Sequence, residues 1–418
     1  MSHKSCISHH THTVFVLAVL VSLLSCCRVQ AHTFTATVID AQTQQPLPFA
    51  SVFIKHGAST ITNSQGAFAI HCDSTDVMRI SYVGYRSVNI TAGNLPAVVS
   101  LQAVESMVDE VVILPVDLKK FIQKTTKETL RQMQKNRKQK ANFFYRQIGF
   151  VQKNDSLPGD SVCNEVLEAF LTGCPAVSLS QLELLKGRYA AIAPDSTTRY
   201  AYYRNFYTFS EIEVASKFSQ PGNTIVPLFR NWKTYYDVDY DVAFDESGSR
   251  LIVLLFKPKP HIERGIMACA IYVDEQTFHI RRIVGRGLNS FLSVEFMVLN
   301  DEGQPTKHRW IFPTSFAFQV NMTEERGFVE VQSVFINQSH RFDGNRICTN
   351  SLLYNVGNLQ ELSEQGMELE YYGHLHDFID AMGYDPTFWR DNEIVLRTPV
   401  EQNVMDLFES KRLFGVWK

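Results

Sequence analysis

The densest group of ligand-type side chains in the 418-residue chain is His374-Leu375-His376-Asp377. On a strand, His374 and His376 would share a face, because side chains alternate with a period of two. Two imidazoles on one face would suit zinc or copper, given a third ligand from elsewhere. No third member stands at metal-site spacing, so a polar surface turn before a helix is the simpler expectation, and no metal or cofactor is assigned. Asp237, Asp239 and Asp241 alternate along another run. Loop carbonyls would have to join them to hold calcium, and the solvated side of a strand is the plainer expectation. The chain has no Gly-x-Ser-x-Gly elbow, no His-Glu-x-x-His and no Gly-rich phosphate loop. No catalytic residue set emerges, and the expectation is a protein that is not an enzyme.

The elements that would position such residues begin with an export leader. In residues 1–31, Lys4 and several histidines precede the apolar run Val14–Leu24, which is too short to span a bilayer as a helix. Val29-Gln30-Ala31 has the small-residue pattern of a cleavage site, so cutting between Ala31 and His32 is expected, giving a periplasmic product. Leu23-Leu24-Ser25-Cys26 competes with it: it resembles a lipobox, whose Cys26 would be acylated and hold the chain at a membrane. Removing residues 1–31 takes away two cations and no acid, moving the formal net charge from −3 to −5. No basic excess marks a nucleic-acid binder. Cys72, Cys163, Cys174, Cys269 and Cys348 remain, with no C-x-x-C pair among them, so little favours a zinc site. Cys163 and Cys174 are close enough in sequence for a disulfide in an oxidising compartment. Buried thiols acting as small hydrophobes are the alternative.

Thr33–Leu101 reads as a run of short strands. Thr33–Asp40 alternates Phe34, Ala36 and Val38 with threonines, and Phe49–Lys55 resumes the alternation after a Pro-bearing turn. Asn63-Ser64-Gln65-Gly66 makes a tight turn, and Ala67–His71 and Val77–Val83 follow. The order is a strand ending in Asp40, the Pro46–Val52 run, Asn63–Phe68, then Tyr82-Val83-Gly84-Tyr85-Arg86. It resembles the carboxypeptidase-regulatory-like domain, a transthyretin-like sandwich found at the N-terminus of TonB-dependent outer-membrane receptors and other gram-negative envelope proteins. The resemblance implies a fold module and no activity. In metallocarboxypeptidases a separate catalytic domain needs a His-x-x-Glu pair, and no histidine here has Glu three residues on. Asp73-Ser74-Thr75, Asp155-Ser156-Leu157, Asp160-Ser161-Val162 and Asp195-Ser196-Thr197 resemble the short O-glycosylation sites of such envelope proteins.

Beyond the Val104–Leu114 connection, Val116–Asn136 has helical spacing: Leu118, Phe121, Ile122, Thr125, Thr129 and Met133 share one stripe. Lys119, Lys120, Lys124, Lys127, Arg131 and Lys135 fill the other, followed by Arg137, Lys138 and Lys140. Contact with anionic headgroups is one reading of that face, and a solvated helix docked on the next domain is the plainer one. From Phe143 to Gln338 the chain is rich in strand candidates on short polar turns, the pattern of an antiparallel meander. These are Tyr235–Phe244, Arg250–Lys257, Ile266–Val273, Phe278–Val284, Phe291–Leu299, Lys307–Thr323 and Phe328–Asn337. Leu359–Leu369 reads as loop, with short helices at Leu375–Met382 and Val404–Phe414. A large receptor barrel is excluded by length. The order of helix, Phe-Tyr-Arg strand and Ile271–Asp274 hairpin also resembles envelope proteins with a half-barrel like that of periplasmic lipoprotein carriers.

The expected fold is mainly β: an N-terminal transthyretin-like β-sandwich (32–103), a linker and amphipathic helix (104–142), a larger curved, half-barrel-like antiparallel sheet (143–340), and a mixed C-terminal region (341–418). The expected function is a binding or interaction protein in the periplasm or at the outer membrane. Its partners would be other envelope proteins or lipid, with no nucleic acid and no transmembrane span after leader removal. The alternative is a carrier of lipid or another hydrophobe, motivated by the aromatics of the strands (Tyr235, Tyr236, Phe244, Phe256, Tyr272, Phe291, Phe296, Phe316, Phe318). A hydrolase or metallocarboxypeptidase has no residue set behind it.

Overall fold

The computed structural model describes residues 32–55, 57–104, 117–136, 138–152, 162–174, 182–192, 200–201, 227–260, 262, 267–287, 294–299, 305–311, 315–325, 327–342, 345–357, 367–368 and 375–414. The leader with Ala31 and Cys26, the Asp155, Asp160 and Asp195 glycosylation-like sites, and His374 lie outside the described residues. Among the described residues no helix is long and apolar enough to cross a membrane.

β1 (His32–Asp40) turns Ala36 and Val38 inward, as its alternation dictates. After it come β2 (Ser51–Ile54), β3 (Ser59–Ile61), β4 (Ala67–Cys72), β5 (Val77–Ser81), β6 (Val88–Thr91) and β7 (Val98–Leu101). They form two sheets, ordered β4-β1-β7 and β3-β2-β5-β6, closed over Val38, Val52, Phe68, Met78, Ile80 and Leu101. The turn residues explain the closure. Asp40 Oδ1 accepts from the backbone N–H of Gln42 (2.7 Å) and Thr43 (2.9 Å), and its Oδ2 accepts from the Tyr85 hydroxyl at 2.5 Å. Asn63 Oδ1 accepts from the N–H of Gln65 (2.9 Å) and Ala67 (3.0 Å). Gly66 has φ of +74°, and a Cβ there would lie 2.6 Å from the Val38 carbonyl oxygen, so only glycine fits.

The larger unit begins with α1 (Leu118–Asn136), where Asp117 Oδ1 accepts from the Lys120 N–H at 3.1 Å in the manner of an N-cap. Its first strands are β8 (Ala141–Gln152), β9 (Val162–Gly173), β10 (Glu183–Ala191) and the short β11 (Tyr200–Ala201). The one-turn helix α2 (Trp232–Tyr235) precedes β12 (Tyr236–Phe244), β13 (Arg250–Pro258), β14 (Ala268–Asp274) and β15 (Ile280–Gly287). Then come β16 (Val294–Leu299), β17 (Pro305–Ile311), β18 (Ser315–Glu325), β19 (Phe328–Phe342), β20 (Asn345–Gly357) and β21 (Met367–Glu368). The chain ends in α3 (Leu375–Met382), α4 (Pro386–Asp391) and α5 (Pro399–Ser410).

Eleven of these strands make one open antiparallel sheet, ordered β12-β13-β14-β15-β18-β19-β20-β8-β9-β10-β21. The first strands of the unit thus close onto its last long one, with Tyr145 opposite Leu353. This departs from a simple meander. The run Lys307–Thr323 is two strands rather than one: β17 pairs with β16 in a separate sheet with β11, and β18 joins the large one. Pro313 stands between them, and proline supplies no N–H to a ladder. Tyr235 closes the α2 turn instead of opening β12.

Alternate residues of the sheet face two different covers. On one face lie Phe143, Tyr145, Leu167, Ile271, Phe318 and Ile336, covered by Phe121 and Ile122 of α1 and by Ile379 of α3. Burying Phe121 and Ile122 is worth about 1.5–3 kcal/mol each. Gly285 makes room here, because a Cβ on it would overlap the Phe318 ring of the opposed residue. On the other face, Phe144, Phe170, Leu352 and Tyr354 pack against Phe49 and Ile61 of the sandwich and Trp389 of α4. Farther along, Ile148 and Val166 meet Val404, Met405 and Phe408 of α5. The sandwich is fixed by directed contacts as well. Phe49 stacks on Phe335 at 4.6 Å between centroids, and Thr60 Oγ1 donates to the Ile394 carbonyl at 2.7 Å. The Tyr354 hydroxyl lies 3.1 Å from Ser59 Oγ, and Arg79 pairs with Glu246.

β12 is an end strand of the sheet. Its Tyr240 and Val242 N–H groups donate to the side chains of the preceding Asp239 and Asp241, at 2.8 Å each. Residues two apart direct their N–H groups to the same side of a strand, so the two carboxylates cap the row that β13 does not use.

Candidate functional site

Three polar constellations stand in the described residues, each positioned by the sheet. The largest is built on Glu168 of β9, which the ladder sets opposite Arg146 of β8 and Arg188 of β10. Glu168 Oε1 accepts from Arg146 Nε at 2.6 Å, and Oε2 accepts from Arg188 Nε (2.8 Å) and Nη2 (2.5 Å). Arg397, from the segment before α5, stands 3.6 Å from the same carboxylate. Burial alone would raise the Glu168 carboxyl, but Arg188, Arg146 and Arg397 outweigh it and hold the group far below the usual carboxylate range. The guanidinium groups are themselves held. Arg146 Nη2 donates to the Val395 carbonyl at 2.9 Å, and Arg188 lies over the Trp389 and Phe414 rings at 4.7 and 4.9 Å. Within the sheet the cluster joins three neighbouring strands, and its contacts with Trp389, Val395, Arg397 and Phe414 tie the sheet to the C-terminal segment, so the chemistry of this cluster is attachment.

Glu165 lies three residues before Glu168 and therefore on the opposite face. Gln147 Nε2 donates to its Oε1 at 2.9 Å, and the Tyr145 hydroxyl donates to Gln147 Oε1 at 2.6 Å. Burial, only partly offset by Gln147, pushes the Glu165 carboxyl well above its ordinary value. His340 of β19 is also buried, which lowers it to about 4.

The third constellation borders a cleft between α1 and the β14–β15 hairpin. His279 faces two carboxylates, with Nδ1 at 3.1 Å from Glu324 Oε2 and Nε2 at 3.2 Å from Glu128 Oε1. The hydrogen bond from Arg131, supported by Gln132 and His279, draws the Glu128 carboxyl down to about 2 against its partial burial. Arg281 reaches Glu324 at 3.1 Å. The cleft is lined by Gln132, Met133, Asn136, Phe278, Met322 and Val329, among others, and leaves about 20 Å³. That is the size of one water molecule. Asn136 Nδ2 donates to the Val329 carbonyl at 2.6 Å and Lys135 Nζ to the Gly327 carbonyl at 2.7 Å. This group docks α1 and presents its other side outward.

The residues singled out in the sequence fall elsewhere. Leu375–Asp377 open α3 rather than a strand, and His374 lies outside the described residues. Asp237, Asp239 and Asp241 are exposed on β12. Among the described residues, no three His, Cys, Asp or Glu side chains gather as a metal site. Asp73 Oδ1 accepts from the Thr75 N–H and hydroxyl, closing a turn. Cys174 is in no disulfide, and its Sγ donates to the Asn136 carbonyl at 2.9 Å. Burial raises the Cys269 thiol above its ordinary value, as a small hydrophobe in a core. Phe256, Phe316 and Phe318 are core residues. Glu165, Glu168 and Arg188 went unnoticed in the sequence, since no strand was delimited between Phe143 and Tyr235. One available signal was the matched parity of Glu168 with Arg146 across neighbouring strands. Another was Thr398-Pro-Val-Glu401, a capping box that starts α5 at Pro399 rather than at Val404.

No curated protein matches the chain. Among solved structures, a DUF1329 family protein from Desulfovibrio piger is 10% identical, covering 57% of this chain and 95% of that one at a TM-score of 0.19. The MucA/MucB complex of Pseudomonas aeruginosa is matched at 11% identity, over 57% of this chain and 94% of that one, with a TM-score of 0.15. Likenesses at those scores carry no argument. The family match is local and firm: residues 34–113 fit the model of the CarboxypepD_reg-like domain, and the sandwich closed by Asp40, Asn63, Gly66 and Tyr85 is a domain of that kind.

Proposed function

We propose that the chain is a non-enzymatic binding or interaction protein of the cell envelope, acting through its outer surfaces. One observation carries this reading. Both faces of the large sheet are covered by the chain's own elements, and the charged groups buried there bind one another or the segments that cover them. A carrier would need an open apolar space of several hundred Å³. The cleft beneath α1 holds about 20 Å³. An enzyme would need convergent titratable groups facing a cleft that admits substrate, whereas Glu168 is shared among three arginines and Glu128 and His279 serve the docking of α1. Placement in the envelope rests on the leader-like residues 1–31, and the sandwich adds a module that packs on the sheet through Phe49 and Ile61.

Native mass spectrometry of the protein purified from its own envelope, with the mature N-terminus read in the same run, tests this. The expected result is a mass without lipid or metal, starting at His32. A stoichiometric lipid-sized adduct would replace the reading with the carrier, and a metal-sized adduct would reopen the enzyme. An acylated start at Cys26 would move the protein from the periplasm to a membrane anchor.

A further inference from the structure

Residues 118–140 hold nine of the chain's forty cations and one of its forty-three acids, in a protein whose net charge is −3. The fold places that charge on one side. Phe121, Ile122, Thr125, Thr129, Gln132 and Asn136 of α1 are buried against the sheet. Lys119, Lys120, Lys124, Lys127, Arg131 and Lys135 are exposed, and Lys138 and Lys140 extend the row past the helix end. The single acid, Glu128, is turned toward His279 and Gln132 and held by Arg131. Helix stability does not explain the row. Lys120 and Lys124, Lys127 and Arg131, and Arg131 and Lys135 are like charges four residues apart, and each such pair costs the helix. Lys119, Lys120 and Lys124 also lie at the N-terminal end, where the helix dipole disfavours cations. Packing explains only part of it. Lys124 covers the Phe278 ring at 5.0 Å and Lys135 the Phe328 ring at 4.2 Å. Among the described residues, the side chains of Lys119, Lys127 and Lys138 take no ion pair.

We propose that the outward face of α1 is a docking surface for an anionic phospholipid membrane, engaged by charge and without insertion. The occupant follows from the shape and chemistry of the row. Nineteen residues at 1.5 Å each give a straight line of about 28 Å. The helix has no outward aromatic on which a base could stack, its one aromatic, Phe121, being buried, and a straight row of cations fits a plane of phosphates. The apolar stripe that an inserting helix would sink into the bilayer is already spent on the sheet. The remainder of the chain is net acidic, so this cationic face is the part of the molecule that an anionic plane attracts. This inference rests on the envelope placement above and names the surface the protein would meet there.

The test is co-sedimentation of the full chain with phosphatidylcholine vesicles, with and without a large fraction of phosphatidylglycerol, at low and high salt. Binding is expected only with phosphatidylglycerol and is lost at high salt. Each lysine near such a surface changes partitioning about five-fold. Replacing Lys119, Lys120, Lys127 and Lys138 by glutamine should therefore weaken binding by several hundred-fold with an unchanged melting temperature. Equal binding to neutral vesicles, undiminished binding by the variant, or tighter binding to duplex DNA at the same salt would each overturn the proposal. Absence of vesicle binding would remove the docking surface and leave the interaction reading to its own test by mass.

Discussion

Glu165 and Glu168 are both buried, three residues apart on β9, and the structure shifts their carboxyls in opposite directions. Replacing each by glutamine separates the two environments. In Glu168→Gln the carboxylate shared by Arg146, Arg188 and Arg397 disappears while three guanidinium groups stay in place, two of them almost fully buried. Removing one partner of a buried ion pair costs about 3–5 kcal/mol. Rings stacked on Arg188 and the Glu409 carboxylate at 3.2 Å offset part of the exposed charge, which places the loss toward the lower end of that range. In Glu165→Gln the group replaced is one that burial already pushes toward its protonated form, and its bond from Gln147 has an acceptor in the amide oxygen. The expected loss is under about 1 kcal/mol, the net scale of one hydrogen bond. Urea denaturation of the two variants beside the parent reads both values. Equal losses, or a larger one for Glu165→Gln, would refute the opposite shifts of the two carboxyls.

Three more expectations follow from the packing and titration described. His340 is held at about 4, below its ordinary 6.5, so the folded chain carries fewer protons than the unfolded one between those values. Its contribution to stability is therefore full above pH 6.5 and lost as pH falls through 4, and His340→Gln should flatten that part of the acid limb of urea midpoints. Gly285→Ala drives a methyl into the Phe318 ring and should cost about 1–3 kcal/mol by overpacking, whereas alanine at the open Gly248 turn should act through its φ of +81° alone. Phe335→Ala removes the ring on which Phe49 stacks and should loosen the sandwich by about 2 kcal/mol. Hydrogen exchange would show this as faster exchange in β2 and β3 with α1 unchanged.

What the sequence disclosed was set by period and by turn chemistry. The sandwich was legible because Asp40, Asn63, Gly66 and Tyr85 are consumed locally, each by a bond or a backbone angle that a short stretch can specify. α1 was legible because its apolar stripe repeats at helical spacing and its polar side is uniformly cationic. The mainly β class followed from the alternating runs between Tyr235 and Asn337. Strand order did not follow, since the pairing of β20 with β8 joins Leu353 to Tyr145 across more than half the larger unit. The buried ionic cluster was hidden for a related reason: Arg146, Glu168, Arg188 and Arg397 read singly as surface residues, and only the ladder register makes them neighbours. The docking groups of α1 were likewise split between Glu128, His279 and Glu324.

The aspartates that close the N–H row of β12 have a consequence for growth. An open sheet of eleven strands is a template: its last strand offers a ready-made line of donors and acceptors to any extended chain, including another copy of itself. Here the donors of Tyr240 and Val242 are already occupied by side chains from within the same strand, and an incoming strand would have to displace two carboxylates and then sit beside their charge. The molecule thus carries its own stop signal for β-polymerisation, written in Asp239 and Asp241. It leaves recognition to helices and faces, where contact ends at one partner instead of propagating.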